Sequence, residues 1–370
     1  MTAGAAVRLA ETATTILMQP TTLCNLDCAY CYLPDRAVNR RMSLAVADAV
    51  AATVREWSRI HPVRVLWHGG EPMATGLAHF QALLGRFGPG DGHPVVQAIQ
   101  TNGTLIDDAW CELFAAHPVQ VAVSLDGPGA YNRSRLDRGG RQSTERTLRG
   151  IAALCRHGIG FGAIAVVAEP TPAVAVELYE FFAELGAHSL GINLEERKGV
   201  HRDATDPGAA VVEFWAALAE RWAADRRLRI REFDHALTYI RAELAGRAPD
   251  RATRPVPLVP MITWDGEVVP INPDLAGFSS PRHGAFTVGN LREHSLSELL
   301  ASAPAVGWVA ETLDGVGACR RECGYFAYCR GGQGANKYFE TGRFDVTETA
   351  YCRNSKIRLM EGLMQHATHP

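Results

Sequence analysis

From Thr15 to about Asn193, short apolar runs alternate with longer segments of helical periodicity six times over, and no other feature restricts the fold as much. The runs Thr15–Gln19, Val63–His68, Val95–Thr101, Val119–Leu125, Gly162–Val167 and Ser189–Leu194 have strand length. They are apolar almost throughout, which suits strands covered on both faces. Between them, Ser43–Arg59, Ala74–Phe87, Asp107–Ala116, Ser143–His157 and Ala173–Leu185 place apolar residues at helical spacing, with Ser43 as an N-cap. Strands that alternate with helices pair in parallel beneath them, an α/β class. An open doubly wound sheet and a curved partial barrel both satisfy the count, and periodicity does not separate them. In either one, the loops at the C-terminal ends of the strands carry the chemistry.

After the sixth strand the texture changes twice. Pro207–Arg247 reads as helical and polar-faced, with a basic run at Arg226–Arg231, and the Pro-rich stretch Arg254–Pro260 reads as a linker. Met261–Trp264 and Glu267–Val269 flank Asp265-Gly266, a hairpin signal. A short helix near Leu296–Ser302, cysteine-rich loops and a last helix near Asn354–Gln365 follow. The expected division is 1–205, a bridging segment 206–253, and a smaller C-terminal domain 254–370. With 37 basic and 40 acidic groups the net charge is −3, which excludes a polybasic nucleic-acid binder and a solvating acidic tail. No apolar run reaches the roughly 20 residues of a membrane span, and Met1 to Thr15 shows no secretory h-region. The expectation is a cytoplasmic chain with neither nucleic acid nor membrane as partner.

Nine cysteines are too few, and odd in number, for a disulfide scaffold. Cys24-x3-Cys28-x2-Cys31 lies directly after the first strand. Three thiolates this close suit three irons of a [4Fe–4S] cube whose fourth iron stays open; a zinc site short of one ligand is the competing reading. Cys319, Cys323, Cys329 and Cys352 form a second set, which fits a cluster or a structural zinc equally well. Cys111 and Cys155 fall in helical segments and read as small buried hydrophobes.

The three-cysteine spacing with Tyr30 before Cys31, and Gly69-Gly70-Glu71-Pro72 after the second strand, resemble radical S-adenosylmethionine (SAM) enzymes over about residues 15–195. The resemblance implies a partial (β/α)6 barrel, an open-iron [4Fe–4S] cluster on Cys24, Cys28 and Cys31, and SAM bound to it. It further implies SAM contacts from Tyr30, Gly69, Gly70, Glu71, Pro72, Gln100, Asn102, Ser124 and Arg135, with Arg133 as a competitor for the arginine role. His68, beside Gly69, is expected to touch substrate or to pack. The stretch of about 260–355 resembles the SPASM extension, a module carrying auxiliary clusters in enzymes that modify peptides. Ile271 and Gln333 stand where that module has further cysteines, so one auxiliary [4Fe–4S] cluster is expected, on Cys319, Cys323, Cys329 and Cys352. Asn272 stands where sulfatase-maturing relatives carry a catalytic Asp, which argues against that activity.

Asn193-Leu194-Glu195-Glu196 with Gly199, the run Asn272–Gly277, Gly334–Glu340 and Tyr351-Cys352 resemble the cyclophane-forming peptide maturases. Those enzymes join an aromatic ring to the Cβ of a residue two positions along a ribosomally made precursor. Implied partners are such a precursor peptide, an external electron donor such as a flavodoxin or ferredoxin, and a separate leader-binding protein or another surface for the leader, since the motif begins at residue 24. The basic run Arg226–Arg231 is a leader site or a solvated helix face. Glu195, Glu196 and Asp274 are the candidate bases, against a purely ion-pairing role with Arg197 or Lys198. Thioether formation, epimerisation, sulfatase-type maturation and a zinc-stabilised binding protein are the alternatives.

Overall fold

The computed structural model describes residues 6–247 and 253–368. The six expected strands form as β1 (Thr15–Met18), β2 (Val63–Trp67), β3 (Val95–Thr101), β4 (Val119–Ser124), β5 (Phe161–Val167) and β6 (Ser189–Leu194). Each pairs in parallel with the next, as in Leu17↔Leu66, Ile99↔Val121 and Ala165↔Ile192. Five helices connect them: α1 (Leu44–Trp57), α2 (Leu77–Leu84), α3 (Asp108–Ala116), α4 (Thr144–Arg156) and α5 (Pro172–Glu184). Three of their starts are capped by side chains. Ser43 accepts from Val46 N, Asp107 from Trp110 N, and Thr171 from Val174 N ahead of Pro172.

The strand order settles what periodicity left open. It runs monotonically from β6 to β1, with no reversal of the kind that defines a doubly wound sheet. Right-handed crossovers then put every helix on one face, and the sheet curls to enclose its other face as a partial barrel. The helix expected over Ala74–Phe87 is shorter: a 3-10 turn, Pro72–Thr75, precedes α2, and the chain reverses at Gly76 between them. Trp67, Phe80 and Phe87 pack edge-on beneath α2, and the Trp67 indole donates to Gln97 Oε1 at 3.2 Å. Burying each such ring contributes roughly 2–3 kcal/mol.

The basic run is not a helix face. Between α6 (Ala210–Ala224) and α7 (Arg231–Leu244) the chain extends into a seventh strand, β7 (Arg229–Ile230), on β6. Leu228 and Ile230 are buried and draw the segment into the sheet. Its charges are paired locally, Arg227 with Asp225, Arg229 with Asp234 and Arg231 with Glu232.

The linker Arg254–Pro260 does not detach the C-terminal region. Val256 bridges Leu9, and β8 (Met261–Ile262) of the expected hairpin pairs in parallel with β1, with β9 (Val268–Val269) outside it. The bridging segment's last residues, 248–252, lie outside the described residues. The last helix, Arg358–Thr368, follows a short turn (Ala350–Cys352) and a π-turn (Arg353–Ile357). There the Trp215 indole takes the Asn354 carbonyl (3.1 Å) and interrupts the α-ladder. Cys111 is buried as expected; Cys155 is exposed on α4 and is no core residue. Among the described residues no helix is long and apolar enough to cross a membrane.

Candidate active site

The loop after β1 carries Cys24, Cys28 and Cys31 and is pinned along its length. Cys24 N donates to Arg36 O (2.9 Å), Asp27 N to Leu136 O (2.7 Å), Ala29 N to Ser134 O (2.9 Å) and Cys31 N to Cys28 O (3.0 Å). Burial pushes the Cys24 thiol up to about 12 and Cys28 up to about 11, and it raises Cys31 as well. The three also repel one another as thiolates. A buried, mutually repelling thiol triad is a donor set that cationic iron relieves.

The loop after β2 backs onto this one. Gly70 has φ +60, and a Cβ there would sit 2.6–2.8 Å from the carbonyls of Thr21, Thr22 and Leu23, so only glycine allows the approach. Glu71 N donates to Leu23 O (2.8 Å). The Glu71 carboxylate is buried and committed: it accepts from Thr101 Oγ1 (2.8 Å), Met73 N (3.1 Å) and Asn102 N (2.8 Å). Burial holds it near 7 despite those bonds. Glu71 therefore ties the β2 and β3 loops together, and what Gly69 to Pro72 offer an ammonium group is backbone. Asn102 is buried and donates to Asn25 Oδ1 (2.8 Å) beside Cys24 Sγ (3.9 Å); Gln100 is half-buried on β3.

Asp126, after β4, organises the next corner. It accepts from Tyr30 OH (2.6 Å), Arg135 Nη2 (2.9 Å) and Val166 N (2.9 Å). Arg135 is buried; burial alone would lower its basicity, and Asp126 with Tyr30 and Cys28 raises it instead. Its guanidinium lies 5.4 Å from the Tyr30 ring centre, and its Nε is buried with no partner. Arg133 is exposed, pairs with Glu169 (2.7 Å) and lines the cleft at the ends of β4 and β5, whereas Arg135 lies in the interior. Ser124 is buried at the end of β4. Tyr30, Asp126, Ser134, Val166 and Val167 line a cleft at the ends of β4 and β5. An orphaned guanidinium nitrogen near Cys28 and Cys31 fits SAM, whose carboxylate is an arginine ligand.

The end of β6 meets the C-terminal region through a half-buried polar cluster. Lys198 Nζ reaches Asp274 Oδ2 at 2.9 Å and Glu196 Oε1 at 3.5 Å, and it lies 5.1 Å from the Tyr32 ring centre. Glu196 Oε2 accepts from Asn336 Nδ2 (2.7 Å). Tyr32 OH lies 3.2 Å from Nε2 of the half-buried His68. Burial raises Glu196 to about 7; Lys198 works against the rise, and Asp274 with Glu340 adds to it. Lys198 itself stays protonated, because Asp274 and Glu196 outweigh its burial. Glu195 faces His201 at 2.9 Å. Gly199 (φ +55) is explained here too, since a Cβ would collide with Tyr32 O at 2.2 Å.

Glu195, Glu196, Arg197, Glu340, Tyr351 and Asn354 line an open cleft of about 720 Å³. Of the three candidate bases, Glu196 is both in this cleft and held at a pKa near neutrality. Cys319, Cys323, Cys329 and Cys352 line one cavity of their own, separated from the cleft by the Tyr351–Cys352 peptide. Buried Lys337 donates to Cys319 Sγ at 3.4 Å, a cation placed for an anionic thiolate cluster. Sequence reasoning missed Tyr32, Asp126 and Lys198 as site residues, and it read Asn336 and Lys337 only as part of the run Gly334–Glu340.

A monotonic partial barrel with a thiol triad after its first strand defines a cluster-dependent enzyme that works at the strand ends. The family model described as the Radical SAM superfamily matches residues 18–182. The uncharacterized protein sll1766 of Synechocystis sp. is 32% identical over 354 residues, covering 91% of this chain and 88% of that protein. The serine-type anaerobic sulfatase-maturating enzyme of Klebsiella aerogenes is 34% identical over 218 residues, 56% of this chain, and the match spans about half that enzyme, 51%. The structure of native anSMEcpe with bound AdoMet and Cp18Cys peptide superposes with a TM-score of 0.73 at 21% identity, over 96% of each chain. The chain belongs to the radical SAM superfamily, and its cofactors are a [4Fe–4S] cluster and SAM.

Proposed function

We propose that this enzyme matures a ribosomally made peptide by joining an aromatic ring to the Cβ of a nearby residue. When bound, the cluster and SAM supply a 5′-deoxyadenosyl radical that removes hydrogen from an unactivated carbon. The chain's own groups do the rest. The Tyr30–Asp126–Arg135 unit fixes the SAM end of the barrel. The cleft at the end of β6 receives the peptide and limits water. After the carbon–carbon bond forms, the ring regains aromaticity by losing one proton and one electron, and the peptide ends two hydrogens lighter. Glu196 is the base for that proton. The second thiol set, behind the Tyr351 wall, would hold the acceptor for the electron.

One observation carries the reading. Glu196 is poised in the cleft by Lys198 and Asn336, whereas the Asn272 side-chain oxygen is engaged in structure. Asn272 adopts φ +56 and accepts from Gly334 N at 2.9 Å, so its amide fixes a helix start instead of serving as a base. The match to a sulfatase-maturating enzyme favours a second reading, oxidation of a serine or cysteine in a protein substrate. Co-expression with a precursor, followed by fragmentation mass spectrometry, decides. A loss of two hydrogens located between an aromatic ring and a Cβ supports the proposal; an aldehyde at Ser or Cys, a thioether, or deuterium uptake alone refutes it.

A further inference from the structure

The helix Gly334–Thr341 sends two adjacent side chains to two different places. Asn336 bonds Glu196 in the cleft at 2.7 Å, and its neighbour Lys337 reaches Cys319 Sγ at 3.4 Å. Bonds at both ends lock the helix. Asn272 accepts from Gly334 N (2.9 Å), and Glu340 accepts from Ala350 N (2.6 Å) and Tyr351 N (3.2 Å). The groups assigned above to the proton and to the electron are therefore fixed by consecutive residues of one element.

Lys337 is only 3% exposed. Among the described residues its ammonium forms no ion pair, and the thiol of Cys319 is its partner. Gly315 makes room for it, since a Cβ there would lie 3.1 Å from Nζ. Glu311, one helical turn before Gly315, pairs instead with Arg282 and His283 and accepts from Phe344 N. A buried cation without a counter-charge is strongly destabilising. Lys337 lines the same cavity as Cys319, Cys323, Cys329 and Cys352, and four metal-bound thiolates supply the missing negative charge. A second cation, Lys356, stands further off, 5.8 Å from the ring centres of Tyr328 and Tyr351.

We propose that Lys337 sets the reduction potential of the cluster on these four cysteines and so makes it an acceptor for the electron leaving the peptide ring. Lys337 is a positioning residue, acting through Cys319 and not on the peptide. The inference rests on the proposed reaction, in which the second thiol set holds the electron acceptor. In that step the ring radical loses one electron and one proton; the electron reduces the cluster by one, and the proton passes to Glu196. Reduction adds one negative charge to the set. A cation at a ligand sulfur in a low-dielectric interior favours that added charge.

The test is an anaerobic redox titration of the loaded enzyme, followed by electron paramagnetic resonance, with no peptide present. The first cluster serves as an internal reference, identified by its loss when Cys24, Cys28 and Cys31 are replaced by alanine. In Lys337→Met, reduction of the second cluster is expected to become about ten-fold less favourable, a downward shift of about 59 mV. Lys337→Arg, which keeps the charge, restores most of the shift, Lys356→Met gives a smaller one, and the first cluster does not move. An unshifted potential in Lys337→Met overturns the proposal, as does an equal shift in Lys356→Met or in the first cluster. Loss of the second cluster's iron in Lys337→Met makes the lysine structural and overturns it too. Zinc without iron in the second set of the wild type leaves no potential to set and has the same effect, while a crosslinked product can survive that result. A peptide product without the ring–Cβ bond refutes the crosslinking reading and leaves the shift standing.

Discussion

At the scale of single residues, the site depends on buried charges that have few partners. Asp126 is the sharpest case, because among the described residues it alone forms an ion pair with Arg135 in the interior. Asp126→Asn leaves a buried guanidinium unpaired, a loss of roughly 3–5 kcal/mol; Asp126→Glu, which keeps the charge, costs less. Thermal or urea unfolding of both variants measures the difference, and equal stability would show that Arg135 finds another partner. Glu196 gives a prediction in pH. Its pKa is raised to about 7, so its basic form is scarce at pH 6 and dominant at pH 8, while Lys198 stays charged throughout. Peptide product per unit time is expected to climb across that interval and then level off. Glu196→Gln removes the climb and lowers product about 10²-fold, with 5′-deoxyadenosine still formed. A profile unchanged in Glu196→Gln transfers the role to another group. The thiols were legible in the sequence because their spacing is local. The role of Asn336 was not, because it acts through a partner far along the chain, Glu196, 140 positions apart, and the reach of Lys198 to Asp274 was hidden for the same reason.

At the scale of elements, the strands were the most legible part, since each is a near-continuous apolar run with both faces to cover. Their order was not legible: strand length and spacing are the same in a doubly wound sheet, and only the monotonic pairing distinguishes the barrel. The basic run misled for a definite reason. Its charges read as a solvated helix face, but Leu228 and Ile230 alternate with Arg227 and Arg229, the period of a strand. Tight loop contacts give the test at this scale. Gly70→Ala places a methyl against three carbonyls at a positive φ, and neither the rigid β1 loop nor the backbone can yield cheaply. Expected are a destabilisation of roughly 1–3 kcal/mol and a clear loss of SAM affinity, measured by equilibrium dialysis. Gly76→Ala is the comparison, since a methyl there meets open space although φ is also positive. If both variants bind SAM equally, the contact between the two loops does not shape the cofactor site.

For the whole molecule, the question is how two thiol sets so far apart in sequence come to sit on one continuous sheet. The answer lies in β8, which pairs with β1 and makes the C-terminal region an extension of the barrel sheet. Lys198 then joins β6's loop to Asp274 after the hairpin, and Tyr351 closes the cleft from the other side. The two thiol sets nevertheless stay separate, each with its own cavity or loop, and that separation can be counted. Loaded anaerobically, the wild-type chain is expected to hold about eight irons and eight sulfides. Replacing Cys24, Cys28 and Cys31 together with alanine leaves about four and abolishes SAM cleavage; replacing Cys319 and Cys352 with alanine also leaves about four, but SAM cleavage survives while peptide product falls. Iron and sulfide analysis, with assays for 5′-deoxyadenosine and for peptide product, reads all four quantities. About four irons in the wild type together with one zinc would make the second set a structural zinc site, and the electron from the ring would then have to leave by another route. SAM cleavage lost in both variants would instead show that the C-terminal region is needed to shape the barrel's strand ends, as the shared sheet allows.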